Sequence, residues 1–177
     1  CLSQLYHEHQ LGNRAGYAKF ETFPVWNIPL KHPLNVAYEA ATADLKDFNI
    51  IDSFHLDAYG VTTVNYNRDM EMFPVVRRIL HRITGDESIY RSPTDMGVNQ
   101  IAAAIVDDQV VQDASKQEII RRYLKAASDQ KRGAGELETV HRLQVLMETM
   151  NLRVEERAVV PASREYLAWA KERLGQA

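Results

Sequence analysis

At 177 residues, 45% of them hydrophobic and 25% charged, the chain has the balance of a folded protein rather than a disordered one, with room for one ordinary domain or two small lobes. A net charge of −3 gives no general pull toward nucleic acid or an anionic membrane, and no apolar run approaches the roughly 20 residues that span a bilayer. The single cysteine, Cys1, excludes a disulfide within the chain and suits a reducing compartment, so a cytoplasmic protein with neither nucleic acid nor membrane as partner is expected.

Leu2, Leu5 and His9 stand at helical spacing with no capping residue before them, and neither an initiator Met nor a secretory leader precedes them. We read this as a cut made inside or just before a helix, hence a fragment of a larger protein. That helix should end near Gly12. Tyr17 to Phe23, with aromatics at 17, 20 and 23, predicts a short strand. Pro24, Pro29 and Pro33 then forbid regular structure and make a rigid loop carrying Trp26, Asn27, Lys31 and His32.

Leu34, Ala37, Tyr38, Ala41, Leu45 and Phe48 follow one helical face. From Asn49 to Asn67 the pattern breaks, predicting a loop or a single helical turn around Phe54–Gly60. Phe73, Val76, Leu80 and Ile83 define a helix with Pro74 in its first turn and Gly85 past its end. Ser92-Pro93-Thr94-Asp95 offers a cap for a short apolar segment. Ser115 and Glu118 read as a capping box for a helix reaching Gly133; Leu137, Val140, Met147 and Met150 mark another, and Ser163 to Leu174 the last. The composition shift near residue 115 divides the chain into an α/β lobe (1–114), cut at its N-terminal side, and a helical lobe (115–177). The expected fold is therefore mixed α/β and predominantly helical, with few strands.

No metal is expected, because His7/His9 and His55/Asp57 lie two apart, where helical side chains diverge, and no metalloprotease or paired-cysteine signature occurs. The densest polar cluster is Asn65-Tyr66-Asn67-Arg68-Asp69, just before a helix. It either presents an anion site, with Arg68 as a bidentate donor, or merely caps the helix with Arg68 solvated. Asp95 to Asn99 invites the same two readings. Lys19, Glu21 and Asn27, on or beside the rigid loop, are the other candidates; Lys19 and Glu21, two apart on a strand, share a face and neutralise one another in the plainer reading. The basic run from Lys116 to Arg132 reads as a solvated helix face.

Cys1–Glu8, Gly16–Asn27, Ala37–Leu45, Phe54–Gly60, Val64–Asp69 and Ser92–Asn99 together resemble an uncharacterised bacterial family known as a domain of unknown function (number 1846). The resemblance covers nearly the whole chain, more loosely over 136–177. It implies that the chain is similar to the C-terminal part of much longer proteins. It also implies that a Gly/Pro-rich segment ending in Gly-Lys, similar to a phosphate-binding loop, precedes the region corresponding to the Cys1 helix. No family activity is assigned, so the resemblance supplies no catalytic residue or cofactor.

Two functions are expected on these grounds. The first is part of a cytoplasmic enzyme that binds a nucleotide or phosphorylated metabolite, with Lys19, Glu21, Asn27, Asn65, Asn67, Arg68 and Asp69 forming one wall of the site. The alternative is a non-catalytic structural module that packs on the missing N-terminal region of the same protein or self-associates into a homo-oligomer.

Overall fold

The computed structural model describes residues 1–20, 23–98 and 101–156. In chain order it contains α1 (Leu2–Gln10), β1 (Lys19–Phe20), α2 (Pro33–Ala41), β2 (Asn49–Ile51), α3 (Ser53–Tyr59) and β3 (Val64–Tyr66). There follow α4 (Asn67–Thr84), α5 (Pro93–Met96), β4 (Gly97–Val98), α6 (Asp108–Lys131) and α7 (Leu137–Thr149), with short 3₁₀ turns at Ala43–Leu45, Ile101–Ala104 and Val154–Glu156. This is the mixed α/β, predominantly helical class expected. β1 pairs in parallel with β4, Lys19 opposite Gly97; β2 pairs antiparallel with β3, Asn49 opposite Tyr66.

Two apolar clusters hold these elements. In the first, Val36, Ala37 and Ala40 of α2 and Ala43 pack on Ile119 and Ile120 of α6 and on Leu143 and Met147 of α7. The alanines favour helix and let α2 approach α6 closely, while burying each isoleucine contributes about 1.5–3 kcal/mol. In the second, Leu5 of α1, Phe73 and Leu80 of α4, Tyr90 and Met96 come together. Residue 115, where composition shifts, falls inside α6, and the first cluster draws on elements from both sides of that position.

Local chemistry fixes several boundaries. Gly12 (φ +80°) follows α1, and Gly85 (φ +70°) ends α4 in the left-handed conformation glycine favours. Ser92 and Asp95 form the reciprocal capping box of α5. The Pro-bounded loop is tied down by Asn35, fully buried, whose Oδ1 accepts from Val25 N–H at 2.8 Å and whose Nδ2 donates back to Val25 O at 3.1 Å. His32, read as a loop candidate, caps α2: its Nδ1 accepts from Leu34 N–H at 3.2 Å. That leaves Nε2 to carry the proton and donate to Asp108 at 3.0 Å.

Four expectations are corrected. Ser115 is not a cap: α6 begins at Asp108, Asp107 Oδ1 accepts from Gln109 and Val110 N–H, and Ser115 Oγ donates to Val111 O within the helix. Glu118, the other half of the expected box, pairs with Arg121 and Arg122. Pro74 lies in the interior of α4, which starts at Asn67 rather than near Phe73. The segment around Phe54–Gly60, expected as a loop or a single helical turn, holds the seven-residue α3, capped by Asp52 and flanked by the strands β2 and β3. The strand expected over 17–23 is paired only at Lys19–Phe20; residues 21 and 22, like the helix expected at 163–174, lie outside the described residues.

Candidate functional site

The sequence candidates fall into separate places. Lys19 on β1 and Asp69 in the first turn of α4 form an ion pair at 2.5 Å, with the Lys19 ammonium 5.7 Å from the centre of the Tyr66 ring. Both line a cavity of about 60 Å³ with Tyr17, Met72, Val76 and Met96, too small for a phosphorylated metabolite. Arg68, about half exposed, binds Asp47 through Nε at 2.5 Å and donates from Nη2 to Leu45 O at 3.2 Å. Asn67 clamps Phe48: its Oδ1 accepts from Phe48 N–H at 3.1 Å, and its own N–H donates to Phe48 O at 3.1 Å. Asn65 is buried, and its Oδ1 accepts from Tyr66 N–H. Asn27 is exposed on the loop, and Glu21 lies outside the described residues. The fold thus brings Lys19 to Asp69, across fifty positions, while Arg68 pairs with Asp47.

A second constellation has the residue types of a nucleophilic triad without its geometry. His55 Nδ1 lies 2.8 Å from Ser92 Oγ and 3.8 Å from Asp95 Oδ1. A relay needs the carboxylate and the hydroxyl on opposite ring nitrogens, whereas here both approach Nδ1. Ser92 is fully buried, and its Oγ accepts from Asp95 N–H at 3.1 Å. Beside it, fully buried Asp52 accepts from Thr94 N–H (3.1 Å) and Thr94 Oγ1 (2.6 Å). This network joins α3 to α5. Among the described residues no group of three or more His, Cys, Asp or Glu side chains is placed to hold a metal.

One cleft with capacity for a ligand lies along α4. It encloses about 610 Å³ between Phe54, Phe73, Pro74, Arg77, Arg78, His81, Arg82 and Glu87, within the usual size range of small-molecule sites. Three guanidinium groups and an imidazole face a single carboxylate, a local excess of positive charge in a chain of net charge −3. Arg77 lies over the Phe73 ring, 5.9 Å from its centre, a contact that fixes the guanidinium. Arg77 Nε and His81 Nε2 are shielded from solvent and have no hydrogen-bond partner among the described residues. Leaving such a group unmatched costs about 1–3 kcal/mol.

α4 presents three faces. Met70, Phe73 and Leu80 are buried, Arg77, Arg78, His81 and Arg82 line the cleft, and Met72, Val75 and Ile79 form an exposed apolar stripe. The cationic face was open to sequence reading: once 73, 76, 80 and 83 mark the buried side, Arg77-Arg78 and His81-Arg82 fall as two pairs four residues apart on an adjacent side.

Comparison with known proteins places the chain in a family. A family model described as "Domain of unknown function DUF1846, N-terminal" matches residues 1–151. A UPF0371 protein of Clostridium botulinum (strain Langeland) is 65% identical over 173 residues, and one of Clostridium tetani is 61% identical over 173 residues. Each alignment covers 98% of this chain and 34% of the relative, so the chain spans about a third of the length of the curated relatives it matches. The matching model is the N-terminal one, which overturns the expectation that the chain corresponds to the C-terminal part of the family's proteins.

Proposed function

The chain belongs to the DUF1846 family, and from that premise we propose that it forms part of a cytoplasmic enzyme in which the α4 cleft binds a nucleotide or another phosphorylated metabolite. The observation that carries this reading is the meeting of three arginines and a histidine in one ligand-sized cleft. Guanidinium groups match phosphoryl oxygens in pairs, and half-buried Phe54 with exposed Pro74 offers apolar surface to an organic portion. In this reading Lys19, Asn65, Asn67, Arg68 and Asp69, whose polar groups are engaged within the fold, set the base of α4, and its Arg77–Arg82 face meets the ligand.

A panel of nucleotides and sugar phosphates tests this in the full-length protein. A ligand at a hundred times its dissociation constant should stabilise folding by about 2.7 kcal/mol, seen as a raised melting temperature. Arg78→Gln combined with Arg82→Gln should remove that rise while leaving the unliganded melting temperature nearly unchanged, because both side chains are exposed. An undiminished rise in the double variant would move the site elsewhere.

The exposed stripe of Met72, Val75 and Ile79 favours a second role compatible with the first: packing against the remainder of the longer protein. Three apolar side chains at i, i+3 and i+7 on one helix are the pattern of a face that another element covers.

A further inference from the structure

The cleft along α4 and the apolar stripe on the same helix share an edge. Small-molecule sites enclose about 70–90% of a ligand's surface, yet Pro74, Arg78, Arg82 and Glu87 of the cleft lining are exposed, so that side stands open to solvent. Around the helix axis, Arg82 stands about 20° from Val75, and Arg78 about 60° from it. The two arginines therefore lie between the open cleft and the exposed stripe of Met72, Val75 and Ile79, none of which lines the cleft. Packed helices run with their axes about 8–10 Å apart, so an element seated on Val75 and Ile79 also rises beside both arginines. About two thirds of the relatives' length lies outside this chain, ample to supply such an element.

Resting on the readings of the cleft as a phosphate site and of the stripe as a packing face, we propose that one element of the remaining protein serves both. Its apolar face covers Met72, Val75 and Ile79, and its edge forms the second wall of the cleft. The ligand is held between two parts of the protein, with Arg78 and Arg82 at the seam. Packing and binding are then coupled, and the coupling is reciprocal: loosening the stripe weakens the ligand by the same factor by which the ligand tightens the stripe.

The full-length protein, with ATP and tripolyphosphate as probes, tests this by calorimetric titration and by the rate at which peroxide oxidises Met72, followed by mass spectrometry. Val75→Gln and Ile79→Gln, made singly, should each weaken the tighter probe about tenfold, equivalent to about 1.4 kcal/mol. In the parent, a saturating probe should slow Met72 oxidation by about the same factor, and Arg78→Gln combined with Arg82→Gln should remove that slowing. The oxidation is read on the parent protein, so it decides the matter even where a stripe variant fails to fold. Probe binding that is lost in the double arginine variant, with Met72 oxidation indifferent to the probe, would overturn the shared wall and leave the cleft standing as the site. Met72, 54% exposed in this chain, oxidising in the full-length protein as fast as in urea would overturn the covered stripe and the shared wall with it. No binding of either probe, or binding indifferent to the double arginine variant, would overturn the reading of the cleft itself.

Discussion

Glu39 shows how burial sets the behaviour of one side chain. It sits on α2 beside a cavity of about 190 Å³ lined also by Asp47, His141 and Arg142. Burial pushes its carboxyl above the ordinary glutamate range, against the lowering effect of the Asn49 N–H that donates to Oε1 at 3.0 Å. The folded chain therefore holds the Glu39 proton more tightly than the unfolded chain does. Stability tied to this residue is fullest below the ordinary glutamate pKa and is lost as pH rises through the raised value. Glu39→Gln keeps an acceptor for Asn49 without the ionisation, so the variant should gain stability relative to the parent as pH is taken from 4 to 8 in urea titrations. A parent that gains on the variant over that range would show that Arg142 outweighs burial. Asp52 makes the complementary case: fully buried, it accepts from three donors on α3 and α5, and sequence alone offers no sign that residues 52 and 94 meet.

The helices show what sequence pattern can and cannot fix. Gly12, Gly85, Ser92 with Asp95 and the Leu137 helix were legible because each boundary depends on residues within a turn of one another. β2 and β3 were not: three residues are too few to display a period of two, and their pairing depends on contact between Asn49 and Tyr66, seventeen positions apart. The Ser115–Glu118 spacing misled for a physical reason. The same i, i+3 pattern occurs in helix interiors, where a serine bonds back to the carbonyl four residues earlier and a glutamate pairs with arginines one turn ahead. The real start of α6 makes the difference measurable. Asp107→Ala should cost about 1 kcal/mol, the usual worth of an N-cap, and Ser115→Ala less than about 0.5 kcal/mol, by urea unfolding. The reverse order would place the helix start at Ser115.

Across the whole molecule, α4 connects architecture to function. One face joins α1 and α5 in the second cluster, a second lines the cationic cleft, and a third leaves Met72, Val75 and Ile79 uncovered. At its base, Lys19–Asp69, Arg68–Asp47 and the Asn67–Phe48 clamp fix where the helix enters the fold. Sequence pointed to this base as the site because its polar residues are adjacent in the chain. The cleft residues are spread over a helical turn and mixed with core positions, so their common face emerges only with the helix. The chain spans about a third of its relatives' length, and the two uncovered faces divide the roles proposed for α4, the cleft for ligand and the stripe for the remaining protein. The crystal structure of the full-length protein with tripolyphosphate tests this most directly. The account predicts phosphoryl groups seated in the α4 cleft beside Arg78 and Arg82, with Met72, Val75 and Ile79 covered by other parts of the chain; phosphoryl groups bound against Arg68 or elsewhere, with the α4 cleft holding none, would contradict it.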